Sequence, residues 1–498
     1  MEFTMAKHGI LRNILVRLFS LAVLIFAARF AIIVTVRGGS CDSSDFCFFS
    51  ENINLTTPSH LSGSGDPFSG KNWRRSVEYY AAIFHDLIGE GSISPNSKAL
   101  CIDTPIGEDV LALKEIGVVD SVGIFKKPSP PLIIQGEGHR HLFHSDAFDF
   151  EFSGNGGLEE SPKPAEFAAE ICRTLRPGGI LAVHTAARDE YSFNSFLELF
   201  TCFELIRKRE INGVDSSTIL EILMKKKIPQ FKTLDYSISP LNSNSVNKCL
   251  IPRYKREIVK NAAESLILEE PLKPWIALKK ILKNIKYLTS LVDISFKKNY
   301  VYIDIGARSY SSSIESWFKK QYPKQNKTFE VYAIEADKSF HEEYRTKKGV
   351  NLLPYAAWVR NETLFFEITR DPSKKLMMKG RGMGRNRINP VQTSSSHMGD
   401  KDKIQGFDFA DWLKSVVTSN DFVVVKMDVE GTEFHLIPRL IQTGAICLID
   451  ELFLECHYNR WQRCCPGKRS SKFQKSYSEC LDLFTSLRDI GVLVHQWW

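Results

Sequence analysis

Apolar residues in this chain fall mostly into short runs that end in acids, glycines or small residues, and stretches of helical spacing separate the runs. The densest run is Phe422-Val423-Val424-Val425, rich in β-branched side chains. It predicts a strand buried on both faces, as in a parallel sheet. The chain then passes directly into Asp428, Glu430, Gly431 and Glu433. Those residues fall at the strand's carboxyl edge, where open α/β sheets place their ligands. A polar strand-to-helix turn, with Thr432 or an acid capping the next helix, accounts for the same residues.

The same reading applied upstream predicts a helix over 76–88, a strand at 99–102 ending at Asp103, a helix over 110–116, and strands at 121–125, 131–134 and 148–152. A helix over 164–175, the turn Arg176-Pro177-Gly178-Gly179 and the strand ILAVHT follow. Alternation at this interval predicts a doubly wound α/β fold. A polar connector comes next, with helices expected over 255–268 and 275–291. A second α/β pattern begins with the strand YVYIDI, which runs into a small-residue turn opening a helix, GARSYSSSIESWF. VYAIEAD, ending near Glu335, and the stretch NLLPYAAWVRNETLFFEI supply its next strands. Residues 379–401 have Gly, Arg, Ser and Asn in excess with no apolar period, and read as a disordered insertion or a lid beside the strand ends. The GRGMGR within them follows no strand and lacks the Lys-Ser/Thr of a phosphate loop.

Length and composition add to this picture. A chain of 498 residues exceeds what one core usually supports. Net charge is +7, from 65 basic and 58 acidic residues without a dense basic tract, so no nucleic-acid partner is expected. Residues 18–36 are almost wholly apolar, long enough as a helix to span about 28 Å of bilayer. Arg29 opposes insertion by about 2.5–3.5 kcal/mol, against roughly 0.3–0.6 kcal/mol from each of about a dozen apolar residues, so insertion is favoured. Lys7, Arg12 and Arg17 precede the span, while Asp42, Asp45 and Glu51 follow it. The positive-inside rule then leaves the amino terminus in the cytoplasm. The expectation is a type II signal anchor in the Golgi or endoplasmic reticulum membrane, with the rest of the chain lumenal. A cleaved signal peptide is the alternative, although its apolar region is ordinarily about 7–15 residues. Sequons at Asn54, Asn326 and Asn361 agree with a lumenal location. Cys456, Cys464, Cys465 and Cys480 crowd the carboxyl terminus around His457, as a disulfide-tied loop or a zinc cluster. Their spacing matches no finger pattern, and no metal site is expected.

The expected organisation is therefore a tail at 1–17, a span at 18–36, a stalk at 37–72, an α/β domain at 73–228, a connector at 229–298 and a second α/β domain at 299–498.

FDFEFSG, followed by AAEICRTLRPGGILAVHT, resembles the second half of a class I S-adenosylmethionine-dependent methyltransferase over about residues 76–225. Its first half departs from that pattern. CIDTPIGED has no closely spaced glycines, and Lys126 and Lys127 stand where an acid would accept the ribose hydroxyls. Lysine has no acceptor. The first domain is accordingly read as a degenerate methyltransferase fold with a structural or partner-binding role.

In the second pattern, the order IDIGA, AIEAD, PYAAW, FDFADWL, VVVKMDVEGTEF and LFLECH resembles the FkbM-type methyltransferases across about residues 300–460. The resemblance implies two Rossmann-like α/β methyltransferase domains after the transmembrane helix. It also implies methyl transfer from S-adenosylmethionine to oxygen, here on a glycan or small-molecule hydroxyl. Asp304, Gly306 and Glu335 fall on the cofactor motif, with Ala307 beside them. Asp428, Glu430, Gly431 and Glu433 fall on the acidic turn, and Glu455 and His457 on the strand end after it. On that mapping Gly306 and Ala307 allow close backbone approach, Asp304 holds the cofactor's amino group and Glu335 accepts its ribose hydroxyls. The proton acceptor is His457 or one of Asp428 and Glu430. One departure bears on binding: Arg308 and Tyr310 replace an Asn and a Gly, so Tyr310 is positioned to crowd the cofactor. A non-catalytic protein that keeps the fold as a lumenal binding or scaffold module is the alternative. A homo-oligomer is left open.

Overall fold

The structure is a computed structural model that describes residues 70–154, 156–187, 189–228, 250–269, 285–369, 385–389 and 401–498, less 463, 464, 466, 472 and 498. The expected span, most of the stalk, Asn54 and residues 275–284 of the helix expected over 275–291 lie outside the described residues; 285–291 hold a short 3₁₀ turn, Leu288–Ser290, and no α-helix. Among the described residues no helix is long and apolar enough to cross a membrane.

The first α/β pattern forms a seven-stranded sheet. Helix α1 (Lys71–Gly89) buries Trp73, Val77, Tyr80, Ile83, Phe84 and Leu87, a stripe at helical spacing. Then come β1 (Ala99–Ile102), α2 (Glu108–Glu115), β2 (Ser121–Phe125), β3 (Ile133–Gln135), β4 (Phe148–Ser153), α3 (Gly157–Glu160) and α4 (Pro164–Thr174). They are followed by β5 (Leu175–Thr185), α5 (Glu190–Leu199), β6 (Phe203–Asn212) and β7 (Thr218–Lys226). The order is β3-β2-β1-β4-β5-β7-β6, with β7 antiparallel to both of its neighbours. The RPGG segment belongs to β5 and is not a separate turn. Phe148 pairs with Leu175 but Phe150 pairs with Ile180, so the intervening residues bulge. Pro177 has no N–H to give the ladder and Gly178 adopts φ 80°, which is how a strand absorbs extra residues.

In the connector, α6 (Arg253–Ala262) ends well before Leu268, the end expected from the sequence. The second pattern then forms β8 (Tyr300–Ile305), β9 (Glu330–Ile334), α7 (His341–Arg345), β10 (Asn351–Leu353), β11 (Ala356–Trp358), β12 (Glu362–Thr369), β13 (Arg385–Asn389) and β14 (Lys401–Asp408). It continues with α8 (Phe409–Val416), β15 (Phe422–Met427), α9 (Glu433–Gln442), β16 (Glu451–Glu455), α10 (Tyr477–Ile490) and β17 (Leu493–Trp497). Six of these strands make a sheet of order β10-β9-β8-β15-β16-β17, with every adjacent pair parallel. All six residues of β8 and of β15 are buried, as a two-faced parallel strand requires. The helix expected after β8 is a single π-helical turn, Ile314–Phe318. A separate four-stranded sheet, β11-β14-β12-β13, includes β13, which lies inside the segment expected to be a loop.

The cores of the two patterns meet. Phe296 joins the first core and stacks edge-on to Phe196 at 5.4 Å. Tyr191 joins the second, its hydroxyl 3.1 Å from Asp450. Disulfides link Cys172 to Cys202 and Cys456 to Cys480, so two of the crowded carboxyl-terminal cysteines are bridged.

Candidate functional site

The order of the second parallel sheet reverses between β8 and β15, and the turns after these two strands touch. Gly306 follows β8 at φ 77°, and a Cβ there would lie 1.9 Å from the Asp428 carbonyl oxygen. Glycine alone lets the two turns close. The contact brings Gly306 against the start of the acidic turn.

Asp304 lies one register step inside that edge, paired with Lys426 across the two strands. Its carboxylate is occupied within the sheet: Lys426 Nζ donates at 3.2 Å, the Tyr302 hydroxyl donates at 3.1 Å, and the Ser313 hydroxyl donates as well. The residue expected to hold the cofactor's amino group therefore acts as the counter-ion of a buried lysine. Burial by itself would lower the Lys426 pKa, but Asp304, Asp428 and Glu455 outweigh it and hold the ammonium charged. The sequence did contain a signal for this pair, because a lysine inside an otherwise apolar, fully buried strand needs an acid on a neighbour.

Glu335 follows β9 and is buried. It accepts from the Arg308 N–H and the Asp337 N–H, each at 2.6 Å. Burial pushes its pKa up to about 7, and the two N–H donors hold it from rising further. Arg308 sits at φ 53°, and this left-handed backbone aims its N–H at Glu335. Tyr310 is buried, edge-on to Tyr344 at 6.4 Å, with Lys347 Nζ 4.6 Å from its ring centroid. The side chain placed to crowd the cofactor is thus packed into the core.

Across the contact, Glu430 adopts φ 50° and Gly431 φ 103° before α9 begins. Glu433 is fully buried and accepts from the Gly431 N–H at 2.9 Å and the His457 N–H at 2.6 Å. His457 places Nδ1 3.3 Å from the same Glu433 oxygen. Its Nε2 faces Asp428 at 3.5 Å, Glu430 at 3.8 Å and Glu455 at 3.9 Å. Burial would lower the imidazole pKa, but Glu433 and then Glu455 and Asp428 raise it to about 9. The ring is therefore protonated at neutral pH and is not a base in this state. Burial raises Glu455, and Asp428 raises it further; Arg460 donates to it at 3.3 Å. Asp428, Glu430, His457 and Glu455 are brought together, and Glu433 and Lys426 are the residues that fix them in place.

The corresponding edge of the first sheet is built differently. Asp103 follows β1 at φ 54°, and a Cβ on Gly157 would meet its Cβ at 2.6 Å. Thr104 donates to Asp109 at 2.6 Å, which closes the turn on itself, and β2 leads into Lys126.

A family profile described as "Domain of unknown function (DUF7870)" matches residues 260–364 and 383–498, which include every residue of this site. No curated protein matches the chain. Among solved structures, the 1,6-didemethyltoxoflavin-N1-methyltransferase of Burkholderia thailandensis, seen with S-adenosylhomocysteine bound, is 16% identical over 31% of this chain and 80% of its own, with a TM-score of 0.26. An S-adenosylmethionine-dependent methyltransferase of Methanosarcina mazei is 16% identical over 28% of this chain and 98% of its own, with a TM-score of 0.23. TM-scores of this size describe a likeness too slight to carry an activity.

Proposed function

We propose that the carboxyl edge of the second parallel sheet binds S-adenosylmethionine and directs its methyl group to a hydroxyl of a glycan or small molecule. The observation that carries this reading is the closed contact of Gly306 on Asp428. It sets the turn after β8, which the Arg308 N–H joins to Glu335, against the acidic turn at the point where the strand order reverses.

The residues fit the cofactor at Glu335. A carboxylate offers about four lone-pair positions, and backbone N–H groups use two of them here, which leaves acceptors for the ribose hydroxyls. S-adenosylmethionine supplies an electrophilic methyl on a sulfonium, and the surplus of carboxylates at this edge suits that positive charge. Among Asp428, Glu430, Glu433 and Glu455, the side chain of Glu430 is the most exposed at 32%, and it takes the proton of the acceptor hydroxyl. His457 supports the developing charge and is itself oriented by Glu433.

Placement in the secretory pathway, behind a single-pass anchor at 18–36, belongs to the same proposal. The disulfides Cys172–Cys202 and Cys456–Cys480 support an oxidising compartment, and Asn326 and Asn361 are both exposed. The first sheet has a structural or partner-binding role, a reading supported by Lys126 and Lys127 at the end of β2. The engagement of Asp304 by three donors favours a second reading, a binding protein without catalysis.

Calorimetric titration of the full-length chain with S-adenosylmethionine separates the two readings. Binding that Glu335→Ala abolishes and the exposed-site control Glu342→Ala leaves intact supports the transferase. Absence of binding by folded wild-type protein leaves only the binding-protein reading.

A further inference from the structure

We infer that Asp428, Glu455 and His457 form a site for a divalent transition-metal ion, with Glu433 behind the imidazole. The fold sets these groups side by side. β15 and β16 are adjacent and parallel with Met427 opposite Leu454, so Asp428, just past β15, neighbours Glu455 at the end of β16. His457 follows two residues later, on the same side of the extended chain. One donor atom from each residue lies within 4.8 Å of the others.

Two observations distinguish this group from an acidic cluster. The His457 side chain is 6% exposed, and its Nε2 meets no acceptor among the described residues closer than Asp428 at 3.5 Å, with Glu455 at 3.9 Å. Those separations are long for hydrogen bonds. Two donors bound to one ion at about 2.1 Å sit roughly 3.0–3.5 Å apart. The imidazole needs a shift of a few tenths of an ångström to reach that range, and the two carboxylates, within 4.8 Å of each other, would close by up to about 1 Å around the ion. The second observation is on the far side of the ring, where Nδ1 lies 3.3 Å from a Glu433 oxygen held by the His457 N–H, while the other Glu433 oxygen accepts from Gly431. Nδ1 makes no hydrogen bond in this geometry, and a small rotation of the ring brings its N–H onto Glu433, the kind of carboxylate that orients a metal-bound histidine.

Charge agrees. Asp428, Glu430, Glu433 and Glu455 converge here, and among the described residues Lys426, already paired with Asp304, and Arg460, at 3.3 Å from Glu455, offset them in part. The ion displaces the Nε2 proton of His457 to solvent, and one neutral imidazole with two carboxylates suits Mn²⁺ or Zn²⁺ better than an all-oxygen ion such as Ca²⁺. Three protein ligands leave positions open for water or an acceptor hydroxyl. The site goes beyond the methyl-transfer reading and does not depend on it.

The test strips the full-length chain with a chelator and titrates it, without S-adenosylmethionine, with Mn²⁺ followed by electron paramagnetic resonance and with Zn²⁺ followed by calorimetry. Stoichiometric uptake is expected, weakened at least tenfold by Asp428→Asn and by Glu455→Gln. Glu433→Gln, which touches no ion, should weaken it by roughly 10–100-fold. Wild-type protein that is folded by circular dichroism and takes up neither ion at millimolar concentration overturns the site. Uptake that survives both Asp428→Asn and Glu455→Gln also overturns it. Because the cofactor is absent throughout, failure of the methyl-transfer reading leaves the result unaffected.

Discussion

Gly306→Ala perturbs the closest contact described between the two halves of the site, and its cost separates into two parts. The first is backbone conformation: a residue with a Cβ at φ 77° pays about 1–2 kcal/mol for the left-handed region. Gly349 provides the measure of that part alone, because it adopts φ 73° and an added Cβ meets nothing within 4 Å. The second part is steric. At Gly306 the new Cβ lies 1.9 Å from the Asp428 oxygen and 2.9 Å from the Asp428 carbonyl carbon, and both are backbone atoms that no rotamer change can move. The turns have to separate by more than an ångström. That movement strains the Asp428 N–H bond to the Ile305 carbonyl, 2.9 Å long, and losing a buried hydrogen bond costs about 1–3 kcal/mol. We therefore expect Gly306→Ala to destabilise the protein by roughly 2–5 kcal/mol and Gly349→Ala by about 1–2 kcal/mol. Urea titrations of wild type and both variants, followed by near-ultraviolet circular dichroism, measure the difference. If Gly306→Ala proves no worse than Gly349→Ala, the turns are not closed on each other and the site as described does not exist.

Three further outcomes follow from buried groups. His495 is fully buried, 2.9 Å from Glu451 and 3.0 Å from Glu264; burial would lower its pKa, but the two glutamates raise it to about 9. A raised imidazole stabilises the fold fully below its unfolded pKa of about 6.5 and loses that contribution as pH rises through about 9, a change of about 3 kcal/mol. The urea midpoint should fall less over that window in His495→Gln than in wild type, and matching pH profiles would refute the assignment. Asp304→Asn leaves Lys426 charged and buried without its partner, at a cost of about 3–5 kcal/mol that Asp304→Asn with Lys426→Met largely restores; a neutral Asp304→Asn in the same titration contradicts the counter-ion role. Replacing Cys456 and Cys480 by alanine opens a bridge across 24 residues and should cost about 3 kcal/mol, read as a lowered urea midpoint; an unchanged midpoint would refute the contribution of the bridge.

The strands that carry the site were legible because they are buried on both faces. Runs such as YVYI and FVVV have no other comfortable environment, and the polar residues that follow them lie together at one sheet edge. Less legible were features set by partners far away in sequence. Asp304 looked like a ligand because nothing local reveals that Lys426, 122 residues later, pairs with it. Tyr310 looked like an obstruction because its burial against Tyr344 depends on α7. Glu433 read as one acid in a polar turn, yet it is the buried group that orients His457. The β5 bulge and β13 escaped because Gly, Pro and Arg ordinarily mark loops, whereas neighbouring strands impose the extended conformation here.

The central claim is that a cofactor lies against the turns after β8 and β9, and hydrogen exchange of the full-length chain with and without S-adenosylhomocysteine tests it most directly. The account expects slowed exchange at the amides of residues 306–313 and 335–337, with residues 103–107 of the first sheet unchanged. Protection confined to the first sheet, or none at 306–313 in protein shown to be folded, contradicts it.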